Sequence, residues 1–251
     1  MPQAPIPTRF PETGASDRDV TSVWGNMPYF DPTRHHVFFD DFNTYAAADW
    51  VVTETQAGAT QATVSGDGGW LALVNSAADN DVNSLQQAFP SFTFEAGKAM
   101  AGKVRFKVSS AIESDLLLGL FAVDTSPIVS VPTDGIGFLK ADDAATIVFE
   151  AGTGSAYTAT SALLTLTDDT FVTLGFYTSG RAFVKPSDGL SYYSFRVFGG
   201  TGHDPAFLTQ LDVLTTGVPS ATVMAPTLCL QNGSAAARTL TIDYLALSKE
   251  R

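Results

Sequence analysis

From residue 37 onward, apolar and polar residues recur with a period close to two. In "KVRFKVSS" (103–110), Val104, Phe106 and Val108 share one face, and Lys103, Arg105 and Lys107 share the other. That alternation predicts a half-buried antiparallel strand with a wet, basic outer side. In "DLLLGLFAVD" (115–124) both alternating sets are apolar, Leu116, Leu118, Leu120 and Ala122 against Leu117, Gly119, Phe121 and Val123. Such a strand is covered on both faces and marks the centre of the core or a contact surface.

Further strands are predicted at "GGWLALVN", "GIGFLKAD", "ATIVFEAG", "FVTLGFYT", "RAFVK", "YYSFRVF" and "RTLTIDYLAL". Turn clusters such as "GDGG", "TSG", "SDG" and "QNGS" separate them, as in an all-β antiparallel sandwich. Two segments have helix-like spacing, "SAADNDVNSLQQAF" (76–89) and "DPAFLTQLDVL" (204–214), the latter through Phe207, Leu208, Leu211 and Leu214. No internal repeat of solenoid or propeller length is present.

The first 36 residues differ from the rest. Six of the 13 prolines, Pro2, Pro5, Pro7, Pro11, Pro28 and Pro32, fall there, and proline blocks both helix and central strand. Residues 1–36 are therefore expected to form an extended N-terminal arm ahead of a sandwich spanning 37–251. The arm carries Phe10, Val20, Val23, Trp24, Met27, Tyr29 and Phe30, an apolar load with no use in a solvated tail. Phe10, Val23, Trp24, Met27, Tyr29 and Phe30 are its candidate partner-binding residues.

Composition narrows the function classes. The 251 residues suffice for one large domain, and 18 Phe outnumber 14 Lys plus Arg, which argues for a compact core. A formal charge of −12 with no basic run opposes direct binding to nucleic acid. No apolar leader and no stretch of 18 uninterrupted apolar residues is visible, so the expectation is a chain made in a cytoplasm, with no membrane partner. The single cysteine, Cys229 in "APTLCLQNG", rules out an intrachain disulfide and reads as a small buried hydrophobe.

The order "VFFDDFN…DWVVT…GGWLALVN", then "KVRFKVSS", "FVTLGFYTSGRAFVKPSDG" and "LTIDYLALS" resembles the concanavalin A-like lectin/glucanase jelly roll. The resemblance covers residues 37–251 and implies a fold rather than an activity. A proline-rich arm on a sparsely charged sandwich also resembles tailed-phage capsid decoration or cement proteins and head-fibre components. That second resemblance implies a virion protein assembled in the host cytoplasm, with the major capsid protein or other virion subunits as partners and a homo-oligomer, a trimer by expectation.

Candidate chemistry is sparse. Glycan-cleaving members of the jelly-roll family carry Glu-x-Asp-x-(x)-Glu on a strand. The nearest match is "IESDLLLG", where Glu113 and Asp115 alternate but leucine replaces the third acid. Asp40 and Asp41, with Asp79, Asn80, Asp81 or Asp243, could supply calcium ligands, although a strand rim whose acids cap turns explains them better. His35, His36 and His203 read as surface histidines. Trp70, Tyr157, Tyr177, Tyr192 and Tyr193 are candidates for stacking sugars, with the provision that one of Tyr192 and Tyr193 points to the core. The expectation carried forward is a non-enzymatic virion structural protein without catalytic or cofactor residues. The alternatives are a carbohydrate- or receptor-binding module and, third, a glycoside hydrolase or lyase.

Overall fold

The computed structural model describes residues 33–128 and 131–251. In chain order the strands begin with β1 (His35–Asp40), β2 (Trp50–Glu54), β3 (Thr60–Val64), β4 (Trp70–Val74) and β5 (Val82–Gln87). Next come β6 (Met100–Val108), β7 (Ser114–Phe121), β8 (Gly135–Lys140), β9 (Thr146–Thr153), β10 (Ala156–Ala159) and β11 (Leu164–Thr165). The last are β12 (Val172–Val184), β13 (Ser191–Gly200), β14 (Ala206–Leu214), β15 (Ala225–Asn232) and β16 (Thr239–Glu250). Two antiparallel sheets result. The first runs β14-β13-β12-β6-β16-β4-β3, with β1 also on β16, and the second runs β10-β9-β8-β7-β15-β5-β2, with β11 on β9.

The inner faces interlock as a two-layer sandwich, as alternation predicts. Val104, Phe106 and Val108 of β6 join Leu116, Leu118 and Leu120 of β7, Phe149 of β9, Phe176 of β12 and Phe195 of β13 in one core. Lys103, Arg105 and Lys107 stay half-exposed on the outside. β7 is covered on its second face too: Leu117 and Phe121 cluster with Val82 and Cys229 beneath Ile128, Leu139 and Tyr157. Cys229 is fully buried and its thiol is pushed up to about 12 by that burial.

Four expectations change. Residues 82–87 are a strand, and their polar members are buried bridges: Asn83 donates to the carbonyls of Thr60 (3.2 Å) and Val74 (3.3 Å) in the facing sheet. Residues 206–214 also form a strand, in which an irregularity opposite Val197 and Phe198 shifts the apolar phase and mimics helical spacing. "FVTLGFYT" and "RAFVK" are one strand, β12, broken only by a bulge between Thr178 and Ala182. Gly180 makes that bulge possible: its φ is 65°, its carbonyl accepts from Gly97 N at 2.6 Å, and a Cβ would lie 2.1 Å from the Lys98 carbonyl oxygen. Strand pairing starts at His35, so the last two residues assigned to the arm belong to the sheet.

Candidate functional site

The rim at Asp40 and Asp41 is a turn. Asp40 Oδ1 accepts from Phe42 N at 2.7 Å, holding Phe42 at φ 54° with its ring fully buried, and Asp41 accepts from Asn43 Nδ2 at 2.7 Å. Burial raises the Asp40 pKa, and the charges of Asp41 and Asp49 push the same way, against the Phe42 hydrogen bond. The other candidate calcium ligands do not join them. Asp81 is spent on Thr55 Oγ1 (3.0 Å) and Ser76 N (2.7 Å), and Asp243 on Arg105 (2.8 Å). Among the described residues no three His, Cys, Asp or Glu side chains converge in a way that would hold a metal ion.

Glu113 lies in the turn before β7, and Asp115 is half-buried with Oδ1 accepting from Asp142 N at 2.6 Å. Between these acids and Asp142 and Asp143 sits a feature sequence reasoning missed, the fully buried Lys140. Its ammonium donates to the carbonyls of Ile112 (3.0 Å), Ala141 (3.0 Å) and Ser114, and burial lowers its pKa against the pull of the surrounding carboxylates. Glu113 and Asp115 thus belong to a charge-compensated rim, and Leu117 and Leu118 fill the places where a third acid would stand.

The aromatic candidates separate. Tyr193 is buried, edge-on to Phe94 at 4.8 Å, while Tyr192 faces outward, so one of the pair does point to the core. Tyr157 lies on the second sheet, its hydroxyl donating to Pro132 O at 2.7 Å. Trp70 is folded against Phe171 at 5.0 Å with Lys107 Nζ 5.4 Å from its ring. Of the glycan candidates, Tyr177 and Tyr192 share the outer face of β12–β14. His36 is half-buried, bonded to Ser91 Oγ at 2.9 Å and packed on Phe92, so it is not the surface histidine expected. His203 is exposed and stacks on Tyr244. Phe10, Val23, Trp24, Met27, Tyr29 and Phe30 lie outside the described residues.

Around Tyr192 the chain builds a platform. β12 and β13 run past the bulge as a hairpin whose tip closes through Gly189 N to Lys185 O (2.9 Å), with Gly189 at φ 72°. Asp188 accepts from Leu190 N (2.9 Å) and from the Tyr192 hydroxyl (2.8 Å); these bonds lower its pKa and raise that of Tyr192. Lys185 Nζ lies 5.2 Å from the Tyr192 ring centre and 3.6 Å from Asp212, which also accepts from Gln210 at 2.9 Å. Phe183 lies 6.2 Å from the Tyr192 ring and is 37% exposed. Cross-strand register places Tyr177, Arg196 and Gln210 side by side, and beyond them Arg196 covers Phe198 and Phe207 at 5.5 and 5.3 Å. With about 6.8 Å between same-face residues along a strand, the strip from Tyr192 to Phe198 is roughly 20 Å long. The sequence signal for it was the "AFVKPSDGLSYY" hairpin, whose Phe183, Val184 and Leu190 are exposed while its last residue, Tyr193, enters the core.

No family model and no curated protein matches the sequence. Solved structures do match the fold. An endo-1,3-β-glucanase from Streptomyces sioyaensis superposes with TM-score 0.56 at 13% identity, over 88% of this chain and 98% of that one. The fold is the concanavalin A-like jelly roll. An endo-β-1,4-glucuronan lyase from the fungus Trichoderma reesei aligns with TM-score 0.53 at 11% identity, over 84% and 94% of the two chains. Peanut lectin aligns with TM-score 0.51 at 10% identity, over 86% and 97%. The jelly roll of this chain is thus shared by a lectin and by enzymes, and at these identities the likeness is one of fold.

Proposed function

We propose that this chain is a carbohydrate-binding protein that lays an extended glycan along the outer face of β12, β13 and β14. The observation that carries the proposal is the Tyr192 platform: an outward ring fixed by Asp188, bordered by exposed Phe183 and flanked by Lys185, Asp212, Gln210 and Arg196. Aromatic rings take the CH-rich faces of sugars, and amides, carboxylates and cations exchange hydrogen bonds with the hydroxyl edges. Because Asp188 already holds the Tyr192 hydroxyl, little ring freedom is lost when a ligand stacks.

Binding without turnover is the form this takes. The acids nearest a catalytic pattern, Glu113 and Asp115, lie beside the Lys140 ammonium and away from the platform. Lectin and glycan-processing neighbours support glycan recognition over capsid decoration, since the fold-level likeness is to proteins named for carbohydrates. A glycan array probed with the wild-type chain and with a Phe183→Ala/Tyr192→Ala variant tests the proposal. At least one glycan class should bind the wild type, and the variant should bind it at least about tenfold more weakly, a loss of about 1.4 kcal/mol. Equal binding by both proteins, or none by the wild type, would refute it.

A further inference from the structure

The chain as a whole is acidic, with 26 Asp and Glu against 14 Lys and Arg. The four adjacent strands β14, β13, β12 and β6 reverse that balance. They carry five cations, Lys103, Arg105, Lys107, Arg181 and Arg196, and a single acid, Asp212, which already pairs with Lys185 at 3.6 Å. Alternation puts Lys103, Arg105, Lys107 and Arg196 on the outer face, because Val104, Phe106, Phe195 and Val197 beside them fill the core. Arg181 and Arg196 are fully exposed as residues, and the three cations of β6 are half-exposed.

Arg196 is placed by rings. It lies 5.5 Å from the Phe198 ring centre and 5.3 Å from that of Phe207, and among the described residues no carboxylate pairs with it. Rings hold a guanidinium in position without neutralising it, so its planar fork of N–H donors stays open to an acid that arrives with a ligand. Register sets Arg196 between Tyr177 and Gln210, about 14 Å along β13 from Tyr192. A glycan stacked at Tyr192 and running along β13 therefore reaches the guanidinium. Lys107 is held in the same way, 5.4 Å from Trp70 and 5.3 Å from Phe171. Neutral hydroxyls gain little from such cations, since water solvates the cations equally well, whereas a carboxylate or sulfate forms charge-assisted bonds about twice as strong.

We infer that the glycan taken by this face is an acidic one, bearing a carboxylate or sulfate on its sugars, and that Arg196 reads the acid group while the cations of β6 and β12 add attraction along the face. The inference rests on the glycan-binding reading of the β12–β14 face and adds to it the class of glycan and the residue that selects it. The net charge of −12 opposes a long phosphate backbone, whereas a short acidic glycan meets chiefly the local cations.

The test is an array of galacturonate, guluronate and glucuronate oligomers and sulfated heparin fragments, each beside its carboxyl-reduced or desulfated counterpart, probed with the full chain. At least one acidic member should bind about tenfold or more tightly than its neutral counterpart, and the uronate and sulfate arms show which acid group is read. Arg196→Gln should bring that preference down about tenfold, and Arg196→Lys, which keeps the charge and loses the fork, should bring it down severalfold. Equal binding of acidic and neutral counterparts would overturn the inference and leave glycan binding standing, whereas no binding to any glycan would overturn both. An undiminished preference in Arg196→Gln, or equally tight binding of a single-stranded DNA oligonucleotide of matched charge, would also overturn the inference.

Discussion

Where the first sheet turns Lys103, Arg105 and Lys107 away from the core, the second turns Leu117, Phe121 and Cys229. The first outer face is wet and built from rings paired with cations: Arg105 over Phe171 at 4.4 Å, Lys107 beside Trp70, Lys185 beside Tyr192, Arg196 over Phe207. The second is closed by its own chain, since Gln86 bonds Ala122 O at 3.2 Å and Asp124 N at 2.8 Å, and Ile128 and Tyr157 pack on the apolar cluster. Glycines make that closure possible. A Cβ on Gly135 or Gly137 would lie 2.1 or 2.7 Å from the Phe121 ring, so the ring lies flat only because those positions are bare. One outer face is therefore closed by packing, and the other stays open to solvent.

The sharpest way to break the contrast is to open the covered face. Phe121→Ala removes a fully buried ring whose place the glycines cannot fill, and should cost about 3–5 kcal/mol in urea unfolding. Next comes Glu150, 5% exposed on that same face, whose carboxyl burial pushes up to about 7 from 4.5. Folding therefore favours the protonated acid. Stability from this group is full below about pH 4.5, falls as pH rises, and is lost once pH passes about 7, a change of about 3 kcal/mol. Glu150→Gln should flatten that dependence and be the more stable protein at pH 8, measured by paired unfolding curves from pH 4 to 9. Gly137→Ala drives a methyl to 2.5 Å from the Leu118 carbonyl oxygen and should cost about 1–3 kcal/mol. On the wet face, Tyr192→Ala should change stability by less than about 0.5 kcal/mol while removing glycan binding, which separates recognition from folding.

Much of this contrast is legible in the sequence, because a period of two assigns each residue a side. "KVRFKV" gives the wet face directly, and the two apolar sets of "LLLGLF" give the covered one. The pattern misleads where a bulge or a buried amide interrupts it. Phe207, Leu208, Leu211 and Leu214 look helical because an irregularity resets the alternation, and residues 82–87 do not look like a buried strand because the partners of Asn83 and Gln86, Thr60 and Thr227, lie far away in sequence. The candidate site was half legible. Tyr177 and Tyr192 are visible as alternating aromatics, but Lys185, Asp188 and Asp212 reach Tyr192 only through a hairpin tip and a third strand. Trp70 and Tyr193, both read from the sequence as stacking rings, go to different places: one folds onto Phe171, the other into the core.

The central claim is that glycan meets the outer face of β12–β14 and not the covered face of the second sheet. Its most direct test is to map backbone and side-chain resonance changes during titration with the best glycan found on an array. The account predicts changes concentrated at Phe183, Lys185, Tyr192, Arg196 and Asp212. Changes concentrated instead at Leu117, Gly137, Glu150 and Thr227 would contradict it.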